Sequence, residues 1–435
     1  GRLTRRGFPV TEYQGRLKQA QILMHDMKVD AILVTCETNF TYFSGLQSQF
    51  WHSPTRPMYL VLPSQGESPI AVVPCISAVP MEKTWVKDIR SWPSPRPEDD
   101  GLSLVVDALT NDVPSRFGRI GMPMGHESSV RMPLADVFTL ASSLEQHHGI
   151  AKPFVDASPI IRSLRARKSP LEIDKLKTAS HLASLAFAEL PGRLERLGEQ
   201  LGRDPQAMTE RMAVREMRLE MLTQGLDDAP YVIGKSGPFG YDSVVDGPTD
   251  RPLRCGDVMV VDTGGKYDGY FCDFDRNFMM KGGNAQTGSS AEDAVLAGQD
   301  SLWRATEAGL DALRPGRPVS QVWKAMATSL ERDGVDRRAI SAGRMGHGLG
   351  MQLTEWPSIT QGEETVIQPG MVFTIEPSLP LPEGLGLVHE ENAVVGECED
   401  APPLLLSHRA PRAMPTVELQ HDVLCAEAWT PAVHR

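Results

Sequence analysis

The sequence predicts two joined domains, an α/β domain followed by an α+β domain, on three observations. Helical and strand patterns alternate through the first 160 residues, strand pairs are split by a helix pair after about residue 258, and the apolar pattern breaks between them at Ser163-Leu-Arg-Ala-Arg-Lys168. The expected division is residues 1–163, 164–415 and a tail of 416–435 that carries no readable signal. Thr11–Val29 has apolar residues at helical spacing (Leu17, Ala20, Leu23, Met24, Met27), and Asp30-Ala-Ile-Leu-Val-Thr35 reads as a buried strand. Met58–Leu62 and Ile70–Val73 are further strands bounded by Pro and Gly, and Arg131–Gln146 is a helix. Ser169-Pro170-Leu171-Glu172 has the form of a capping box with proline in the first turn. A long helix is expected from it to about Leu190, and a second from Ala207 to Thr223, stopped at Gly225. Val258–Thr263, Gly269–Met280, Met371–Glu376 and Leu387–Val395 are strand-like, with helices at Ala291–Ala308 and Val319–Asp333 between the second and third. This order suits an antiparallel sheet with helices on one face.

Composition narrows the function classes. The 435 residues carry 44 basic and 56 acidic side chains, a net charge of −12, which disfavours a general nucleic-acid binder. Six scattered cysteines form no CxxC pair, so neither a zinc ribbon nor a disulfide framework is suggested. No apolar run approaches the roughly 20 residues that span a bilayer, and the first residues lack the apolar core of a signal peptide. A cytoplasmic protein acting on a small molecule, with no nucleic-acid or membrane partner, is expected.

The chemistry concentrates in acids placed inside apolar strands. In Val258-Met-Val-Val-Asp262-Thr-Gly-Gly-Lys-Tyr-Asp-Gly-Tyr-Phe-Cys-Asp273-Phe-Asp275 two strand segments flank a turn, which reads as a hairpin. Asp262 then faces Asp273 or Asp275, according to whether Tyr267-Asp268 or Asp268-Gly269 forms the two-residue loop. Gly346-His347-Gly-Leu-Gly350 presents one imidazole, Glu376 ends an apolar strand, and Glu390 and Glu391 lie inside another. A solitary interior acid costs several kcal/mol, so three acidic strands in one domain call for a shared counter-charge. One imidazole with four carboxylates suits hard-to-intermediate divalent metals, and four negative charges balance two such ions.

At these residues the chain resembles the pita-bread metallohydrolases: aminopeptidase P, prolidase, methionine aminopeptidase and creatinase. The opening helix and first strand are similar to the creatinase-type N-terminal domain. Ser236-Gly-Pro, Pro248-Thr-Asp-Arg-Pro-Leu, the Asp262 hairpin, GHGLG, Ile-Glu376-Pro and His389-Glu-Glu-Asn then follow in the family's order. The resemblance implies a curved sheet in the second domain, a homodimer, and two divalent ions (Mn, Co, Fe or Zn) held by Asp262, Asp273, His347, Glu376 and Glu390. It also implies that Glu376 helps to activate the attacking water.

Three positions depart from the family. Peptidases place a histidine seven residues after the metal histidine, where this chain has Thr354 followed by Glu355-Trp356. They place another just before the segment matching Pro248, where Val244, Val245 and Asp246 stand. The threonine expected after the second aspartate ligand is Asp275, an extra acid that joins Glu355 as an assisting group. Substrate-binding candidates are Trp356, Thr354, Tyr241 and Phe239, which border the metal site in the family. Phe50, Trp51 and Arg56 lie on a stretch that in creatinase-like dimers reaches the partner's active site. The expected activity is metal-dependent hydrolysis of a C–N bond in a small amide, dipeptide-like or osmolyte-derived substrate. The alternatives are a metal-dependent lyase similar to the dimethylsulfoniopropionate-cleaving branch, a non-catalytic binding scaffold, and creatinase-like chemistry without essential metal.

Overall fold

The computed structural model describes residues 6–149, 152–201, 208–238, 240–243, 245–282, 290–340, 343–381 and 385–419. The described residues divide into two compact units, one up to Arg165 and one from Ala166 onward.

The first unit contains α1 (Val10–Met27), β1 (Ala31–Val34), α2 (Glu37–Ser44), β2 (Tyr59–Pro63), β3 (Ile70–Pro74), α3 (Cys75–Glu82), β4 (Asp88–Trp92), α4 (Leu102–Asp107), β5 (Ile120–Met122), α5 (Leu134–His148), β6 (Phe154–Asp156) and α6 (Ser158–Ala166). Its mixed six-stranded sheet runs β4-β3-β2-β1-β5-β6, with β1, β5 and β6 parallel. The continuous apolar run of β1 is fully buried, as a central strand covered on both faces requires. Helix α5 starts at Leu134 rather than Arg131, because Pro133 disfavours helical geometry in the residue before it.

The second unit contains α7 (Pro170–Leu201), α8 (Glu210–Gln224), β7 (Asp228–Gly237), β8 (Val258–Tyr267), β9 (Tyr270–Phe271), β10 (Phe274–Gly282), α9 (Ser290–Ala312), α10 (Ser320–Arg332), α11 (Arg337–Ile340), β11 (His347–Gly348), β12 (Glu355–Ser358), β13 (Val372–Ile375), β14 (Ser378–Pro380), β15 (Gly386–Val388), β16 (Glu391–Val394), β17 (Leu404–Leu405) and β18 (Thr416–Leu419). The capping box is formed: Ser169 N–H donates to Glu172 Oε2 at 2.9 Å and Glu172 N–H to Ser169 Oγ at 3.3 Å. Helix α7 runs past Pro191 to Leu201, since Leu190 and Leu194, one turn apart, share the same buried face.

One sheet runs β18-β10-β8-β7 and a second β12-β11-β13-β16-β17. Alternation along β8 divides its residues between two cores. Met259 and Val261 pack with α7 and α8, whereas Val258 and Val260 pack with α9, α10 and β13. Asp262 continues the second of these faces. The sheet is not purely antiparallel, because β18 pairs parallel to β10. Residues 416–419, assigned from the sequence to a tail, are thus an edge strand, with Val417 and Leu419 buried.

Candidate metal centre

The hairpin loop is Asp268-Gly269, both at positive φ (49° and 86°) as a tight primed turn needs. That choice sets the register and pairs Asp262 with Asp275. The second sheet repeats the device. Ile375 pairs with Glu391 and Ser378 with Val388, so one continuous register puts Glu376 opposite Glu390. Both strands expected to be continuous are interrupted at a ligand candidate, Asp273 between β9 and β10 and Glu390 between β15 and β16.

Asp273 shows why the ladder breaks. Its N–H donates to Asn392 Oδ1 at 3.0 Å and its carbonyl accepts from Asn392 Nδ2, so a side chain from the other sheet takes the strand's place. The loop to His347 depends on Gly346, at φ 143°, where a Cβ would meet Thr374 O at 2.2 Å. His347 Nδ1 lies 2.9 Å from Gly348 O. A carbonyl only accepts, so Nδ1 carries the proton and Nε2 is free to coordinate. Nε2 stands 3.4 Å from Asp273 Oδ2 and 3.4 Å from Glu376 Oε1. One ligand atom each of Asp273, His347 and Glu390 lies within 4.8 Å of the others. Tyr231 donates to Asp262 Oδ2 at 2.9 Å, and Thr374 Oγ1 accepts His347 N–H at 3.0 Å while facing Glu376 Oε1 at 3.3 Å.

Five carboxylates therefore meet in one largely buried place. Asp262 Oδ1, both oxygens of Asp275 and Glu390 Oε1 are closed off from solvent without a hydrogen-bond partner among the described residues. Desolvation pushes Asp262 up to about 6 and Glu376 up to about 7, and holds His347 down at about 4. Asp273, Asp275 and Glu390 are raised well above the usual carboxylate range, by burial first and by their acidic neighbours second. Unpartnered buried oxygens, mutual repulsion and a single correctly presented imidazole fit a divalent-cation site. The neighbouring acid is solved differently: Glu391 is lowered, bound by Arg276 at 3.0 Å, Arg409 at 3.1 Å and Ala410 N–H at 2.7 Å.

Several of the other expected positions are paired or packed. The Glu355 carboxylate is paired with Lys168 at 3.2 Å and accepts Gln352 N–H at 3.1 Å. Tyr241 is buried, and its hydroxyl accepts Val388 N–H at 2.5 Å, which ties it to β15. Trp356 is half-buried against the core shared by α9 and α10. Phe239 and Val244 lie outside the described residues. Asp246 pairs with Lys235 at 2.8 Å, and Val245 is exposed. In the first unit Trp51 is buried, with Phe40 edge-on and the Arg131 guanidinium over its ring, while Arg56 is exposed over Phe50. Sequence reasoning missed Tyr231, Asn392 and Arg344. The last stands three residues before His347, with Nε 3.8 Å from Glu376 Oε1.

The profile of Metallopeptidase family M24 matches residues 174–397, and that of the Creatinase/Prolidase N-terminal domain matches residues 16–167. A probable dipeptidase PepE of Mycobacterium tuberculosis is 28% identical over 398 residues, covering 90% of this chain and 94% of its own. An Xaa-Pro dipeptidase of Pyrococcus furiosus is 24% identical over 388 residues, covering 88% and 95%. The crystal structure of dipeptidase PepE from Mycobacterium ulcerans superposes with a TM-score of 0.74 at 26% identity, covering 95% of this chain and all of that one. A carboxylate–imidazole centre thus coincides with a family match over half of the sequence, and the chain belongs to metallopeptidase family M24, here preceded by a creatinase/prolidase N-terminal domain.

Proposed function

We propose that the protein hydrolyses the amide bond of dipeptides or similarly small amides at a dinuclear centre held by Asp262, Asp273, His347, Glu376 and Glu390. The observation that carries this reading is the set of sealed carboxylate oxygens without partners among the described residues, around the correctly presented imidazole of His347. These residues would hold two divalent ions (Mn, Co, Fe or Zn), and the chemistry such ions would supply when bound is acidification of a water and polarisation of the amide carbonyl. Glu376 is the proton carrier, because its side chain is 21% exposed whereas those of Asp273 and His347 are 6% and 3% exposed. It takes the proton from the attacking water and returns it to the departing amine nitrogen as the C–N bond breaks. Trp356 and Thr354 are the proposed substrate-side neighbours. Asp275 faces Asp262 and is only 2% exposed, so it acts on that ligand rather than on substrate. The same closure counts against Asp275 as the base of an elimination, which must be open to the substrate's α-carbon.

The test is metal content per chain after purification without chelators, together with cleavage of unblocked dipeptides. About two equivalents and chelator-sensitive hydrolysis are expected, and Asp262→Asn should lower metal content and abolish turnover. Full activity in stripped protein would sink the proposal.

A further inference from the structure

We infer that His181 and His408 form a second metal site, separate from the carboxylate centre, for a divalent ion that favours imidazole in square-planar or octahedral geometry, such as Cu²⁺ or Ni²⁺. His181 is on α7 and His408 lies just beyond β17, 227 residues later in the chain. Both residues are exposed. His181 Nδ1 nevertheless stands 2.9 Å from His408 Nε2, with ring centroids 4.9 Å apart and ring planes at 51°. Among the described residues neither ring has another hydrogen-bond partner.

Two neutral imidazoles at that distance share one proton, because one nitrogen must donate and the other accept. A metal ion can take that proton's place. The donor ring then carries its proton on its other nitrogen, and both facing nitrogens offer a lone pair. An ion about 2.0–2.1 Å from each nitrogen, with the two ligands at a right angle, sets them about 2.9 Å apart, whereas a tetrahedral ion sets them about 3.4 Å apart. The pair is thus already spaced as two neighbouring ligands of a tetragonal ion. Burial first, and the His408 ring second, hold His181 below the usual histidine value, which favours the neutral form that binds metal. The backbone fixes the second ligand in place: His408 N–H donates to Ser184 Oγ at 2.9 Å, from the turn of α7 that follows His181, and the His408 carbonyl accepts Arg276 Nη2 at 2.6 Å. Little ordering remains to oppose binding, and exposure leaves room for water to complete the coordination sphere. Nitrogen donors here and mostly carboxylate oxygens at the centre also sort ions by type.

The test is calorimetric titration of the Mn²⁺-loaded protein with Ni²⁺, on wild type, His181→Asn and His408→Asn, with the exposed His126 changed to Asn as a control. Wild type and His126→Asn should bind one Ni²⁺ equivalent more than either variant of the pair. Ni²⁺ should raise the Tm of wild type and leave that of the pair variants unchanged. Substoichiometric Cu²⁺ should show electron-spin-resonance splitting from two nitrogens in wild type and lose that pattern in both variants. Asp262→Asn, which disturbs the carboxylate centre, should keep the pair's equivalent, so the outcome is independent of the hydrolase reading. Equal Ni²⁺ uptake by wild type and both pair variants would assign the binding to other surface histidines. Loss of the same equivalent in Asp262→Asn would assign it to the centre. Either result overturns the inference.

Discussion

Burial raises the carboxyls of Asp262 and Glu376 above their ordinary range in the metal-free fold, and this gives the protein a characteristic pH response. Their folded values of about 6 and about 7 lie above the ordinary carboxylate values of about 4. The folded state therefore binds more protons than the unfolded chain through this interval, and stability falls as pH rises through it. His347, at about 4, and His389, at about 3, act oppositely until pH passes the ordinary histidine value of about 6.5. That opposing contribution is half gone at about pH 6.5 and nearly spent by about pH 7.5, while Asp273, Asp275 and Glu390, raised well above the carboxylate range, carry the fall in stability through and beyond it. Calorimetric melting of metal-free protein should show Tm dropping between pH 6.5 and 8, with added Mn²⁺ restoring more at pH 8 than at pH 6. A metal-free Tm that rises over that interval would contradict the carboxylate cluster. The ligand set was legible because acids in apolar strands stand out in a sequence. Tyr231 was not, since a tyrosine in a strand is ordinary until Asp262 is seen 2.9 Å from its hydroxyl.

At the scale of elements, the centre depends on two breaks in otherwise regular strands. The sequence left two hairpin registers open, and the positive φ of Asp268 and Gly269 decided between them. Neither break was readable, because the group that replaces the ladder at Asp273 comes from Asn392, 119 residues further on. Ser180 Oγ, 3.3 Å from Asn392 Oδ1, steadies that amide from α7. Asn392→Ala should strand the buried N–H of Asp273, at a cost of about 1–3 kcal/mol. The ligand would lose its bracing, so Mn²⁺ affinity measured by calorimetry should fall about 10- to 100-fold. An unaltered affinity would mean that the break is held by the metal ligands alone. The capping box, by contrast, was fully readable, because both of its hydrogen bonds close within four residues.

For the whole molecule, the two-domain order was legible from the change in pattern along the chain, and the two family profiles follow in that order. What composition could not show is that the second unit's first sheet is finished by β18. Thr416-Val-Glu-Leu419 is too short to read as more than tail, and its pairing with Met279–Gly282 identifies it as a strand. Removing residues 416–435 should cost about 3–6 kcal/mol, from the burial of Val417 and Leu419 at about 1.5–3 kcal/mol each. Urea unfolding of both forms under the same metal conditions measures the loss, and equal midpoints would show β18 to be dispensable. The parallel pairing also imposes an order on biosynthesis. The ribosome delivers β10 long before its outer neighbour, so the strand that follows Asp273 leaves the exit tunnel with an open edge. Until Thr416–Leu419 emerge, that edge is a template for another nascent chain, which makes β18 a guard against co-translational aggregation as well as a part of the sheet.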